Sequence, residues 1–271
     1  MLLNKKIAFI GGGNMAEAII SGLIEKKVVD PCRIFVSEKR PERCEYLQKF
    51  GIYCESDDCF GFLKDADIVI LAVKPQNFDD AAKTLTDLQP GTLFISILAG
   101  VRIAKIEQAV GTSIRVVRVM PNTPALVGEG MAGISAGTSA TQDDIIITKY
   151  IFDQLGKSVV VEERMLDLLT GVSGSGPAYV FYCIEAMCDA AVTLGMSESQ
   201  AELLVVQTFK GAVELILKSG DKPSVLRQKV TSKGGTTEQG IAVLDKHNLK
   251  KIFFDAIDAA TKKSIELSNN G

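Results

Sequence analysis

A glycine-rich turn placed directly after a short apolar run most restricts the fold of this chain of 271 residues. The run Lys6 to Ile10 leads into Gly11-Gly12-Gly13-Asn14-Met15-Ala16, where a segment of helical period begins. A strand, a G-x-G-x-x-A turn and a helix in this order form the dinucleotide fingerprint of doubly wound sheets. Gly11 permits the tight turn, Gly13 allows close approach of a pyrophosphate, and the helix N-terminus offers N–H groups to phosphates. We therefore predict that residues 11–15 bind a dinucleotide.

The first 162 residues alternate short β-branched runs with segments of helical period. The predicted strands are Lys6 to Ile10, Arg33 to Ser37, Ile68 to Val73, Thr92 to Ile97, Ile114 to Val119 and Lys157 to Val161. The predicted helices between them are Ala16 to Glu25, Pro41 to Phe50, Phe78 to Leu88 and Asp143 to Leu155. Continuous apolar runs indicate parallel strands covered by helices on both faces. The expected fold class is α/β, with a Rossmann-like doubly wound sheet as domain 1–162.

Long helices replace the β-branched runs after residue 162. The predicted helices are Pro177 to Leu194, which Gly195 ends; a second with a capping box of Ser197 and Gln200, which Gly220 ends; Thr237 to Lys246; and Lys250 to Leu267. The first of these is apolar nearly all round, and a segment of about 110 residues cannot easily cover it alone. We therefore expect domain 163–271 to be all-α and to form a homodimer through these helices.

The end of the second predicted strand carries two signals for the cofactor. It reads Ser37-Glu38-Lys39-Arg40. An acidic residue here holds the ribose 2′-hydroxyl of NAD, whereas a nearby Arg or Lys accommodates the 2′-phosphate of NADP. The alternative is a solvated turn. We predict that Ser37, Lys39 and Arg40 bind the cofactor, with NADP(H) favoured slightly over NAD(H).

Three later strand ends complete the predicted cofactor cleft. Because ligands bind at the carboxyl ends of strands in open parallel sheets, the junctions are expected to line this cleft. The predicted cofactor-binding residues are Ala72, Val73, Lys74, Pro75, Leu98, Ala99, Gly100 and Asn122. The alternative for Lys74 is an ordinary solvated lysine. Pro121 and Pro124 fix the backbone around Asn122.

Composition excludes several chemistries. The single histidine, His247, lies in a polar run, which is a poor position for a Ser-His-Asp or Cys-His mechanism, and zinc sites with two or more histidines are excluded. We expect no metal site. A net charge of −3 gives no overall attraction to nucleic acid. Six cysteines without C-x-x-C spacing, no signal-peptide pattern and no spanning apolar stretch lead us to expect reduced thiols in a soluble, cytoplasmic protein.

Two small-residue segments precede helices in the second half. They are Ser173-Gly174-Ser175-Gly176-Pro177 and Thr231-Ser232-Lys233-Gly234-Gly235-Thr236-Thr237. Such segments suit carboxylate binding through backbone N–H and hydroxyl groups. The alternative is simple helix capping, because Thr236 and Gln239 also fit a capping box. Two such segments together with a dinucleotide site favour a small anionic substrate.

These residues carry a resemblance to a known family that covers essentially the whole chain. Segments 9–15, 71–75, 118–124, 173–179 and 230–237 follow the motif order of pyrroline-5-carboxylate reductases. The resemblance implies a Rossmann domain, a helical dimerisation domain, and reduction of 1-pyrroline-5-carboxylate to L-proline by NAD(P)H, the last step of proline biosynthesis. It also implies active sites between intertwined subunits, with larger rings of dimers in some members.

The resemblance implies roles for individual residues. Ser232, Gly235, Thr236 and Thr237 would form the substrate loop, with Thr237 bonding the ring nitrogen as the catalytic residue, and Glu163 and Thr170 would lie near the substrate or nicotinamide. Two positions depart from the family: Lys233 stands where Pro is usual, and Cys59 stands where many relatives have Asn.

Two other functions fit parts of the sequence. A 3-hydroxyacid dehydrogenase-like enzyme would use a lysine in the helix after the first small-residue segment, but Pro177 to Gly195 contains none. A non-catalytic dinucleotide-sensing protein would leave Ser232 to Thr237 without a role. Reduction of a cyclic imine also explains the scarcity of histidine, because the ring nitrogen can arrive protonated and no alkoxide needs a proton donor.

Overall fold

The computed structural model describes residues 2, 4–56, 61–85 and 88–270. Within them, eight strands form one sheet in the order β3-β2-β1-β4-β5-β6-β7-β8. The strands are β1 (Ile7–Ile10), β2 (Ile34–Ser37), β3 (Tyr53–Glu55), β4 (Ile68–Leu71), β5 (Leu93–Ser96), β6 (Arg115–Met120), β7 (Gly130–Ala136) and β8 (Gly156–Val160). All six predicted strands are present, and their ends agree with the predicted ones to within about two residues.

Helices alternate with the strands in the first half and dominate the second. They are α1 (Asn14–Glu25), α2 (Pro41–Gln48), α3 (Phe78–Ala82), α4 (Ile103–Val110), α5 (Gln142–Phe152), α6 (Met165–Leu169), α7 (Gly176–Thr193), α8 (Glu198–Ser219), α9 (Pro223–Lys229), α10 (Thr236–Lys246) and α11 (Leu249–Asn270). A π-helical turn, Thr170–Gly174, follows α6. The predicted helix Phe78 to Leu88 ends early, at Ala82, and two of its residues, 86 and 87, lie outside the described ones.

The sheet reverses direction beside β1. Strand β1 pairs with β2 on one side and with β4 on the other, and both pairings are parallel. The chain therefore runs outward from β1 to β3 and then returns to β4, which makes a topological switch point at the carboxyl ends of β1 and β4. Every residue of β1, β4 and β5 is buried, as expected for parallel strands covered on both faces. The predicted Rossmann-like fold with a helical C-terminal region is confirmed.

Strand β7 was absent from the sequence prediction and is antiparallel to β6. Its sequence, GMAGISA, contains only one β-branched residue and therefore has weak strand propensity. Gly133 explains part of the composition: a Cβ there would lie 2.5 Å from Leu169 Cδ1 and 2.8 Å from Leu166 Cδ2. The small residues of β7 thus let α6 pack closely on the sheet.

The chain divides into two compact units. The first extends to Ser175 and resumes at Asp258, so it includes the last part of α11, and the second is Gly176–Ile257. The predicted domain boundary between residues 162 and 163 stays a prediction. In the second unit α8 begins and ends as expected, since the Ser197 hydroxyl donates to Gln200 Oε1 at 2.9 Å and Gly220 adopts φ +69°. No helix in the described part of the chain is long and apolar enough to cross a membrane.

Candidate active site

The glycine turn has the geometry of a phosphate-binding turn. Gly11 has φ +96°, and a Cβ there would lie 2.8 Å from the carbonyl oxygen of Ala72. Only glycine fits at this position without strain. Gly13 is the N-cap of α1, and a Cβ there would meet no atom within 4 Å, so the space in front of the helix N-terminus is open. A pyrophosphate fits this cradle because free N–H groups and the helix dipole point into that space.

A cavity of about 440 Å³ opens beside this turn, at the switch point of the sheet. It brings together the predicted cofactor-binding residues Gly11, Gly13, Ser37, Lys39, Arg40, Ala72, Val73 and Lys74. Glu38, which the sequence offered as the acidic signal for NAD, also lines the cavity, as do Asn77, Asp80 and Thr84, which the sequence prediction did not assign. The start of a helix after Lys74-Pro75 was the signal that could have identified the last three, because such a helix borders the cleft.

The other predicted cofactor-binding residues do not line this cavity. They are Gly12, Asn14, Met15, Pro75, Leu98, Ala99, Gly100 and Asn122. Gly12, the middle residue of the turn, is buried, and its N–H donates to Glu38 Oε2 at 2.9 Å. Leu98 and Gly100 are buried in the segment after β5. The cofactor contacts of all eight residues stay predictions.

Glu38 links the glycine turn to Arg40. Its Oε1 accepts hydrogen bonds from Arg40 Nε at 2.9 Å and from Arg40 N–H at 3.1 Å, while Oε2 accepts from Gly12 N–H. Burial alone would raise the pKa of Glu38, but the hydrogen bonds from Arg40 and Gly12 outweigh it and hold this pKa below its ordinary value. The carboxylate is therefore ionised and paired, and it stabilises the turn.

Asn122 and Glu163 have hydrogen-bond partners of their own. Asn122 Nδ2 donates to the Ser173 carbonyl at 2.9 Å, and its Oδ1 accepts from Met131 N–H at 2.8 Å. Glu163 Oε1 accepts from Arg118 Nη1 at 2.9 Å. Arg118 is only 1% exposed; burial lowers its pKa, and Glu163 opposes that effect. The Thr170 hydroxyl donates to the Leu166 carbonyl at 2.8 Å. The substrate roles of Glu163 and Thr170 stay predictions.

The first small-residue segment is helical rather than a loop. Ser173 and Gly174 lie in the π-helical turn after α6, and the Ser173 hydroxyl donates to the Leu169 carbonyl at 3.0 Å. Ser173 and Gly174 therefore do not lie in an open loop, and the carboxylate binding considered for this segment stays a prediction.

The second small-residue segment, in the second unit, is a true turn. Gly235 N–H donates to the Ser232 carbonyl at 3.0 Å, and Gly234 N–H donates to Glu238 Oε2 at 2.8 Å. Sequence reasoning missed this role of Glu238. The helix α10 begins at Thr236 with Gly235 as its N-cap, so Thr236 is not the capping residue considered as the alternative. Thr237 is exposed in the first turn of α10.

The sequence also singled out Cys59 and His247. Cys59, one of the two departures from the family, lies outside the described residues. His247 is exposed at the C-terminal end of α10.

Family models match both halves of the chain. One described as "NADP oxidoreductase coenzyme F420-dependent" matches residues 6–100, and one described as "Pyrroline-5-carboxylate reductase dimerisation" matches residues 163–267. A curated pyrroline-5-carboxylate reductase from a Synechocystis species is 41% identical over 262 residues, covering 97% of this chain and 98% of its own length. The chain belongs to the pyrroline-5-carboxylate reductase family.

Solved structures of pyrroline-5-carboxylate reductases agree with this family. The enzyme from Coxiella burnetii has a TM-score of 0.88 at 38% identity, covering 97% of this chain and 98% of its own. The pyrroline carboxylate reductase from Plasmodium falciparum, solved with NADP bound, has a TM-score of 0.84 at 32% identity, with 98% of each chain covered. The resemblance stated from the sequence motifs is thus confirmed.

Proposed function

We propose that this protein reduces 1-pyrroline-5-carboxylate to L-proline with NAD(P)H. The observation that carries the proposal is the agreement over nearly the whole chain with curated reductases of that name. The glycine cradle and its cavity support the cofactor part of the proposal, and the turn before α10 supports the substrate part. The 3-hydroxyacid dehydrogenase-like alternative is disfavoured because α7 contains no lysine. The dinucleotide-sensing alternative gives the Ser232–Thr237 turn no task.

The proposed reaction needs no acid or base from the side chains of the protein. Bound NAD(P)H supplies the hydride. A cyclic imine that arrives with its nitrogen protonated becomes a neutral amine on reduction, so the protein needs no general acid. Its residues have to orient the ring, hold its carboxylate and exclude water. We assign the hydrogen bond to the ring nitrogen to Thr237, and the carboxylate to hydroxyl and N–H groups of Ser232, Gly235 and Thr236.

One assay tests the proposed reaction. The purified protein should consume NADPH, followed by its near-ultraviolet absorbance, when 1-pyrroline-5-carboxylate is added, and proline should form in equal amount. A 3-hydroxyacid in the presence of NADP⁺ and a reaction without substrate are the controls. NADPH consumption that does not need the imine, or reaction with the hydroxyacid alone, would refute the proposal.

We further propose that NADPH is preferred over NADH. The cavity lining includes three cationic side chains, Lys39, Arg40 and Lys74, against two carboxylates. Glu38 is paired with Arg40, and Asp80 lies 2.8 Å from Lys83 Nζ, so both carboxylates are compensated. The charged side chains of the cavity lining thus carry a net positive charge, which favours a 2′-phosphate. A comparison of kcat/KM for the two cofactors tests this order, and a higher value for NADH would reverse it.

We also propose that the working form is a homodimer, or a ring of such dimers, formed through the C-terminal helices in the cytoplasm. The dimerisation model that matches residues 163–267 supports the association. Large apolar side chains exposed in the second unit support the choice of surface.

A further inference from the structure

A buried carboxylate in the first unit receives three polar contacts from two separate parts of the chain. Asp167, on α6, is 2% exposed. Its Oδ2 lies 2.8 Å from Arg102 Nη2, and its Oδ1 accepts hydrogen bonds from the hydroxyls of Ser264 at 2.7 Å and Ser268 at 3.3 Å. Burial of a charge is costly unless it is paired and hydrogen-bonded, and Asp167 meets both conditions. Its removal would therefore loosen everything that it joins.

Asp167 joins the end of α11 to the segment that follows β5. We call residues 97–102 the β5 loop. Arg102 ends this loop, and the next N–H, that of Ile103, donates to Glu163 Oε1 at 2.7 Å. Gly100 has φ +73°, and a Cβ there would lie 3.2 Å from Leu267 Cβ, so the end of α11 lies directly against the loop. The β5 loop is thus held from α6 at its end and from α11 at its middle.

The position of this loop gives the contacts a functional meaning. Strand β5 pairs in parallel with β4, so the loop leaves the same carboxyl edge of the sheet that opens into the cofactor cavity. Ligands of open α/β sheets lie along this edge. Hydride transfer depends steeply on alignment, and a displacement of about 1 Å can cost roughly a hundredfold in rate. The β5 loop leaves this edge and contains Leu98, Ala99 and Gly100, which the sequence predicts to contact the cofactor, so we expect it to be held rigidly.

We infer that Asp167 is a positioning residue for hydride transfer, acting through Arg102 and the β5 loop without touching substrate or cofactor itself. This inference rests on the proposed function. A positioning role predicts a lower rate of the chemical step in a folded protein that still binds the cofactor. A merely structural role predicts a smaller folded fraction in which each folded molecule works at the normal rate.

The test compares two substitutions of buried, Arg-paired aspartates. Asp167→Asn removes the charge at the β5 loop. The matched control is Asp144→Asn. Asp144 is also fully buried, and its Oδ1 lies 2.8 Å from Arg115 Nη1. It completes the capping box of α5 with Thr141, and both of these partners lie outside the β5 loop. The single-turnover rate of NADPH consumption is measured at saturating 1-pyrroline-5-carboxylate and divided by the concentration of cofactor-binding sites. We expect a loss of roughly tenfold to a hundredfold for Asp167→Asn, with the Kd for NADPH within about threefold of wild type.

The control and a milder variant keep the test decisive. Asp144→Asn should lower the Tm while leaving the rate per site unchanged. Should Asp167→Asn fail to fold, Ser264→Ala takes its place, because it removes one donor and leaves the pair with Arg102 intact; we expect a loss of about threefold or more. A rate per site within about twofold of wild type in the folded variant overturns the inference. The proposed function fails by a different result: wild-type protein that consumes no NADPH with the imine. The inference, which rests on that function, then falls with it.

Discussion

A hydroxyl in the first turn of a helix can orient a ligand without exchanging a proton with it. Thr237 occupies such a position on α10, next to the turn closed by the bond from Gly235 N–H to the Ser232 carbonyl. The side chain is exposed and thus accessible to a substrate. Its predicted task is a hydrogen bond to the ring nitrogen, which contributes to the transition state through alignment.

Replacement of Thr237 by alanine should therefore slow the reaction without harming the fold. We expect Thr237→Ala to lower kcat/KM by roughly ten- to a thousandfold, about 1.4 to 4 kcal/mol of transition-state stabilisation. Steady-state kinetics at varied imine concentration measure the effect. Thr237→Ser is the matched control, because it keeps the hydroxyl and should retain most of the activity. Wild-type kinetics in the alanine variant would remove Thr237 from the mechanism.

Glu38 should make stability depend on pH in the acid range. Because its pKa is held below the ordinary value of 4.5 in the folded protein, its contribution is complete above about pH 4.5 and is lost as the pH falls through the folded pKa. The difference in unfolding free energy between wild type and Glu38→Gln should be largest near neutral pH and vanish in strong acid. Urea unfolding of the cofactor-free protein at a series of pH values measures it. A Glu129→Gln variant, changed at an exposed position, serves as the control, and a constant difference at all pH values would contradict the assignment.

At the scale of elements, the turn between β1 and α1 combines two different demands for glycine. Gly11 has φ +96° and no room for a Cβ beside Ala72, so the fold itself requires glycine at this position. Gly13 has φ −67° and open space in front of it, so the fold would accept a larger residue and we expect the ligand to require glycine here.

Alanine substitutions should separate these demands. Gly11→Ala should lower the free energy of unfolding by about 1 to 3 kcal/mol or more, because it adds backbone strain and a clash. Gly13→Ala should fold with an unchanged Tm and bind NADPH more weakly, because the methyl group enters the predicted pyrophosphate space. Thermal unfolding and cofactor titration distinguish the two. Wild-type affinity in Gly13→Ala would contradict the pyrophosphate role.

The elements also show which parts of the structure the sequence could predict. Strands such as β4 were predictable because buried parallel strands are continuous apolar runs. Strand β7 was not, since its small residues are selected by close packing against α6 and carry little intrinsic signal. The site likewise has parts that the sequence could predict and parts that it could not. The glycine turn is a local pattern, whereas the bond between Gly12 and Glu38 joins residues that are 26 positions apart, and that between Arg118 and Glu163 joins residues 45 apart.

At the scale of the whole molecule, the second unit exposes large apolar side chains that a soluble monomer would normally bury. On α7 and α8, Phe181 is 65% exposed, Leu203 71% and Leu217 72%. Exposed apolar patches of this kind mark protein interfaces. Together with the dimerisation model that matches residues 163–267, they support our proposal that two copies associate through these helices.

A charge introduced on this surface should break the dimer. Leu203→Lys would place an ammonium group among apolar side chains of the partner, where its desolvation is not compensated. We expect light scattering after size exclusion to give twice the chain mass or a larger multiple for wild type, and a shift toward the monomer mass with loss of activity for Leu203→Lys. Ile146→Lys is the matched control, since Ile146 is 45% exposed on α5 in the first unit and should leave the mass unchanged. A wild-type monomer at micromolar concentration would contradict an interface on these helices, and so would an intact oligomer of Leu203→Lys. Activity in a fully monomeric variant would show that each chain completes its own active site.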